Sequence, residues 1–202
     1  PAENVSPAAS TSTSLWRNRQ FVTLAAGMSL GLFAQIGLIT HLFLLLVQHL
    51  SEQQAGLAMG VATASAIVGR TLVGWLMPVN ANRRNVACLS YAVQLLGCLV
   101  MLGVGQWPGL VWLGVMLFGA GIGNATSLPP LIAQAEFPRQ QTQRVVALIV
   151  ATAQACYAFA PAVFGVVKSL SGGIAISILA ALIQGMAIGV LLVGKPGLKQ
   201  TL

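Results

Sequence analysis

Four uncharged polar side chains stand out because each lies within a long apolar run, close to its middle. They are Gln35, Asn124, Gln154 and Tyr157. An amide or phenol in hydrocarbon is costly unless it is paired, because lipid offers no hydrogen-bond partner. Such groups suit recognition of a polar solute, and they equally suit a bond between two helices. Gln154 and Tyr157 are three residues apart, so they share a helix face and form the best candidate pair.

Other residues in the apolar runs are suited to holding or bending helices. Arg70 is the one basic residue well inside a run. Its stem can reach the nearer membrane surface, or its charge can face a cavity and attract an anion. Pro129 and Pro130 remove backbone hydrogen bonds and should bend a helix near its end. We expect either a gating bend or a static kink there.

A charged cluster is expected at one membrane surface. Glu136 lies close in sequence to Arg139 and Arg144, and Arg83 and Arg84 fall on the same side. An ion pair from Glu136 to one of these arginines would latch the helix ends together. We expect the pair to be exposed and to contribute at most about 1 kcal/mol. A bias of that size still shifts an equilibrium between two conformations.

The composition indicates what kind of elements position these residues. The chain has 202 residues, of which 56% are apolar and 6% are charged, and its mean hydropathy is +0.84. A soluble domain of this size needs a far more polar surface. These values exclude a soluble enzyme, a disordered chain and a nucleic-acid-binding domain. They predict an all-α fold, a polytopic bundle of membrane-spanning helices.

Six apolar runs have the length of spanning helices. They do not alternate as the strands of a membrane barrel do. Residues 1–20 form a polar segment that we expect to be flexible and cytoplasmic, residues 21–194 form the bundle, and residues 195–202 form a cytoplasmic tail. The predicted spans cover about 21–47, 55–77, 86–104, 110–133, 145–167 and 174–193.

Basic residues between the spans predict the orientation of the bundle. One side receives eight of them and the other receives only Lys168. Since basic loops stay on the cytoplasmic side, both termini should be cytoplasmic. The protein itself should lie in the inner or plasma membrane of the cell. Trp16 and Trp107 are placed to anchor helices at the two membrane surfaces.

Three segments carry a family resemblance. The first is Gly69-Arg70-Thr71-Leu72-Val73-Gly74-Trp75-Leu76-Met77-Pro78, followed by Arg83-Arg84. The second is Glu136-Phe137-Pro138, followed by Arg144, and the third is Ala160-Pro161 with Gly165. Together with the topology, they resemble the C-terminal six-helix half of a major facilitator superfamily transporter. The family's loop motif usually has an aspartate four residues after its second glycine, Gly74 in this chain, and Pro78 stands there instead.

The resemblance implies a secondary transporter that moves a small solute by alternating access. The six spans would be its helices 7 to 12, of which helices 7, 8, 10 and 11 line the pathway in that family. Gln35, Asn124, Gln154 and Tyr157 fall on three of those four helices. We expect gating or conformational roles for Arg70, Gly74, Arg83, Arg84, Glu136, Arg144, Pro129 and Pro130.

The implied partners are the solute, the lipid bilayer and an N-terminal six-helix half or a second copy of the chain. No nucleic acid, cofactor or metal is expected. A half-size carrier acting as a dimer and a non-transporting membrane subunit or scaffold remain as alternatives. An enzyme is not expected, because both histidines, His41 and His49, lie on or beside span one. The sequence also has no aspartate, whereas a metal-dependent transferase would need a cluster of them.

Overall fold

The computed structural model describes residues 15–78, 81–103 and 109–195, and its regular structure within those ranges is helical. Eight helices follow one another there. They are α1 (Arg19–Leu46), α2 (Glu52–Leu76), α3 (Arg83–Leu102), α4 (Gly109–Ile122), α5 (Leu128–Glu136), α6 (Arg139–Tyr157), α7 (Ala160–Ser171) and α8 (Gly173–Val193). The expectations for Trp107 and for most of both terminal segments lie outside the described residues.

The chain runs alternately up and down, so the helix ends collect at two opposite ends of a bundle. At one end, Arg84 at the start of α3 bonds to the start of α1, the end of α5 and the end of α8. At the other end, a small cavity is lined by the ends of α1 and α3 and the starts of α4 and α8. We call the first of these the basic end, because Arg19, Arg83 and Arg84 lie there.

Helix caps set where several helices begin. The side chains of Asn18, Ser51 and Asn82 accept backbone N–H groups in the first turns of α1, α2 and α3. Ser51 also forms a reciprocal capping box with Gln54. These helices therefore begin two or three residues before the apolar runs do. Hydropathy locates the part of a helix that suits lipid, whereas the cap locates its first turn.

Two of the predicted spans are not continuous helices. The prediction of one helix over 110–133 is wrong, because a turn at residues 123–127 separates α4 from α5. Pro129 lies in the first turn of α5 and Pro161 in the first turn of α7. A proline in the first turn loses no hydrogen bond, since the N–H groups there have no partner within the helix. The prolines therefore begin new helices instead of bending continuous ones.

The apolar segments are unevenly covered. Among the described residues, five segments are long and apolar enough to cross a membrane, and α4 is a shorter apolar helix. In their most apolar windows, 44% of the residues of α1 are buried, against 11% in α2 and 22% over Arg139–Ser171. α1 therefore lies at the centre of the bundle. α2 and the α6–α7 segment leave most of their apolar surface uncovered.

Glycines let α2 and the α4–α5 segment pack backbone to backbone. A Cβ atom built on Gly69 would overlap the carbonyl of Ala120, and one built on Gly123 would overlap the carbonyl of Ala66. Only a residue without a side chain allows this approach. This contact fixes α2 against the turn between α4 and α5.

Candidate functional site

A chamber of about 330 Å³ opens between α1, the start of α5 and α6. Three of its lining residues carry polar side chains: Thr126, Gln154 and Tyr157. Its lining consists of Met28, Leu32, Ile36, Ala125, Thr126, Pro129, Ile149, Val150, Ala153, Gln154 and Tyr157. A mostly apolar wall with a few polar groups is typical of small-molecule sites, in which the polar groups orient the ligand.

The end of α6 places two predicted residues in this chamber. Gln154 is exposed and Tyr157 is half-buried, and both line the same wall. Tyr157 is the last residue of α6 and lies ~27 Å along the helix from Arg139, at a rise of about 1.5 Å per residue. The apolar segment continues through α7 to Ser171. The pair therefore lies near the middle of the 33-residue segment.

The turn between α4 and α5 supplies further hydrogen-bond acceptors. Pro129 and Pro130 have no N–H, so the carbonyls of Ala125 and Thr126 lack the amide partner that a continuous helix would give them. Both of these residues line the chamber. Thr126 was not among the solute contacts predicted from the sequence. Its position two residues after Asn124 could have indicated it.

The other two predicted contacts lie elsewhere. Gln35 and Asn124 are buried, and neither lines the chamber. The Nε2 atom of Gln35 has no hydrogen-bond partner in the described part of the chain. Asn124 belongs to the turn before α5, where its backbone carbonyl accepts the N–H groups of Ser127 and Leu128. Of the four predicted solute contacts, the chamber thus brings together Gln154 and Tyr157.

Arg84 forms a buried ion pair with Glu136 at the basic end. Its Nε donates to Glu136 Oε1 at 2.6 Å, and its Nη2 donates to Oε2 at 2.8 Å. The Arg84 side chain is 0% exposed and that of Glu136 is 8% exposed. The expectation of an exposed pair is therefore wrong. The pair is buried because the starts of α1 and α3 and the ends of α5 and α8 surround this guanidinium.

The remaining donors of Arg84 are also used. Nη1 donates to Thr23 Oγ1 at 3.0 Å and to the Leu191 carbonyl at 3.3 Å, and Nη2 donates to the Gln20 carbonyl at 2.7 Å. A guanidinium has five N–H groups, and all of them have acceptors here. A buried charge with this many partners fixes the relative positions of the four helices that it touches.

The other residues with expected conformational roles are more open. Arg83 is half-buried and donates from Nη1 to the Leu131 carbonyl at 3.0 Å, so it ties α3 to α5. Arg144 is exposed on α6. Gly74 is exposed on α2, with no atom within 4 Å of the position that a Cβ would occupy. No close contact within the described chain requires a glycine there.

Arg70 is exposed in the second half of α2. Its Cβ lies 3.0 Å from the position that a Cβ on Gly123 would occupy, so its stem borders the turn between α4 and α5. The same helix exposes large apolar side chains, including Ile67 at 65% and Trp75 at 81%. Arg70 is therefore a charge on an otherwise apolar face.

Two polar contacts outside the chamber are structural. Gln184 donates to Gln94 between α8 and α3 at 3.2 Å, and both residues are buried. His41 Nε2 lies 3.1 Å from the carbonyl of Pro161, which links α1 to α7. These contacts hold helices together away from the chamber.

Within the described ranges, five apolar helical segments of spanning length indicate a multi-pass integral membrane protein, and the chamber lies between its helices. The model of the Major Facilitator Superfamily matches residues 1–161. That range is well over half of the chain, and the chain belongs to this family of membrane transporters. The predicted resemblance to the major facilitator superfamily is thereby confirmed.

Two solved structures of POT family transporters share the fold. PepTSo, a transporter of the POT family, has a TM-score of 0.73 at 15% sequence identity, and the match covers 88% of this chain. An auto-inhibited peptide transporter of the POT family has a TM-score of 0.71 at 16% identity, and the match covers 87%. The chain spans 37% of the length of each. No curated protein matches the sequence.

Proposed function

We propose that the chain is the C-terminal six-helix half of a secondary transporter that moves a small solute by alternating access. The observation that carries this proposal is the chamber, because it has a volume that suits a small solute and lies near the middle of the apolar α6–α7 segment. Gln154 and Tyr157 would orient the solute there, and the apolar wall would hold its body. Gln35 and Asn124 would act behind this wall, as buried groups that reach the solute only if the helices rearrange.

The proposed topology has six crossings. The α4–α5 segment provides the fourth crossing, since its two parts together run from the end opposite the basic end back to Glu136. The concentration of arginines favours a cytoplasmic basic end, with both chain termini on that side of the cell membrane. Trp16 is exposed beside the start of α1, where an aromatic anchor at the membrane surface is expected.

A second six-helix unit is the proposed partner. α2 and the α6–α7 segment are the least covered apolar segments, and an equivalent unit packed on them would enclose the chamber. The N-terminal half of the transporter suits this role, because the solved relatives are longer than this chain. A second copy of the chain, forming a dimeric carrier, would cover the same surface.

The ion pair is proposed as the cytoplasmic latch. Because Arg84 holds α1, α3, α5 and α8 together, those ends would move as one unit during the transport cycle. Replacing Glu136 by Gln should loosen the unit and favour the inward-open state. Arg83 and Arg144 would assist at the same end, Pro129 and Pro130 would allow α5 to pivot, and Gly74 would allow close approach of the partner unit.

Cysteine labelling tests alternating access. In a variant with all three native cysteines replaced by Ser, Val150→Cys places a thiol on the chamber wall. A membrane-impermeant maleimide should label it in both right-side-out and inside-out vesicles. Val115→Cys, at a fully buried position in the core, is the matched control and should stay unlabelled in both. Labelling of Val150→Cys from one side only would contradict the proposal.

A further inference from the structure

Neither acidic residue of the described ranges pairs with Arg70. The whole sequence has three acids. Both carboxylate oxygens of Glu136 accept hydrogen bonds from Arg84. Glu52 begins α2, 18 residues before Arg70, which is ~27 Å along the helix axis. The third, Glu3, lies outside the described residues. Among the described residues, then, Arg70 has no counter-ion.

A guanidinium at this position needs an anion. It lies inside a segment of spanning length, one helical turn from Ile67, which is 65% exposed. A charge in such a setting is strongly unfavourable unless it is paired or reaches water. Its stem borders Gly123, and two residues further on the same turn begins to line the chamber at Ala125. Arg70 does not itself line the chamber, so an anion bound there would reach past this turn to meet the guanidinium.

We propose that the solute itself supplies the missing charge, and that it is a small organic anion with one acid group and an apolar body. One unpaired guanidinium balances one negative charge, and its planar fork suits a carboxylate with two equivalent oxygens. The apolar wall of the chamber, between Leu32 and Ile149, suits the body of such a molecule. This inference rests on the proposed function, since it takes the chamber to be the transport site.

Three probes of the same size and different charge test the inference. Benzoate, benzyl alcohol and benzylamine are titrated by calorimetry into the protein held in lipid nanodiscs. Benzoate should bind at least tenfold more tightly than the other two. Arg70→Gln should weaken benzoate binding at least tenfold, and Arg70→Lys, which keeps the charge and loses the fork, should weaken it less. Arg17→Gln, which removes an exposed arginine before α1, is the control and should leave the affinity unchanged.

Several results would overturn the inference. Equal affinity for the three probes would show that charge plays no part, and an unchanged benzoate affinity in Arg70→Gln would show that Arg70 reaches the membrane surface or pairs with an acid of the partner unit. If Arg70→Gln does not fold, the inference is still tested by the affinities of the unaltered protein for the three probes and by the benzoate affinity of Arg70→Lys. Labelling of Val150→Cys does not depend on solute charge. Two-sided labelling without a preference for benzoate would therefore refute only the proposal that the solute is an anion. One-sided labelling would refute alternating access.

Discussion

Removing the Glu136 carboxylate should destabilise the protein far more than removing an exposed acid. Glu136→Ala leaves the Arg84 guanidinium fully buried and without a counter-charge. Two of its five hydrogen bonds are lost, and each bond to a charged group contributes about 1.5–3 kcal/mol. Truncating one member of a buried ion pair typically costs about 3–5 kcal/mol. Because the bonds to Gln20, Thr23 and Leu191 remain, we expect a loss near the lower value, about 3 kcal/mol.

Unfolding in mixed micelles with increasing dodecyl sulfate, followed by circular dichroism, measures this loss. Glu52→Ala is the matched control, because Glu52 is exposed in the first turn of α2. There the carboxylate interacts only with the helix dipole, so its removal should cost less than about 1 kcal/mol. If Glu136→Ala costs no more than Glu52→Ala, the basic end does not depend on a buried charge pair, and the proposed latch fails with it.

Two further predictions concern the packing of the bundle and use the same unfolding assay. Gly69→Leu should destabilise the protein by more than about 2 kcal/mol, because its side chain would overlap the Ala120 backbone, whereas Gly74→Leu should be tolerated. A larger effect at Gly74 would refute this account of α2. Gln94→Leu should cost about 1–3 kcal/mol, since it leaves the buried amide of Gln184 without a partner. The double variant Gln94→Leu with Gln184→Leu should lose less free energy of unfolding than Gln94→Leu alone. If instead the losses of the two single variants add, the two amides do not stabilise each other.

Composition and periodic apolar runs were enough to predict an all-helical membrane protein. The runs were long enough to mark the spanning segments, and the loop motifs were enough to suggest the family. The interruptions at residues 123–127 and 158–159 were not predicted, because hydropathy is insensitive to a turn inside an apolar run. The prolines were noticed, but their position relative to the start of a helix depends on where the preceding helix ends.

The chamber was predicted in part. Gln154 and Tyr157 were found because helical spacing puts both on one face of α6. Gln35 lies on α1, and its direction depends on how that helix is rotated in the bundle, which a single sequence does not specify. The pairing of Glu136 was narrowed to four arginines by topology. The choice of Arg84, and its complete burial, follow from helix ends that meet only in three dimensions.

The extent of labelling from each side in turn tests the central claim most directly. Val150→Cys protein is reconstituted in two vesicle preparations, each with a single orientation and the two opposite to one another, and the impermeant maleimide is added outside only. If each molecule exposes its chamber to both sides in turn, labelling continues in both preparations until the whole population has reacted. If the protein instead holds fixed forms, or serves as a static scaffold, labelling in at least one preparation stops at a partial plateau or does not occur, and alternating access is refuted.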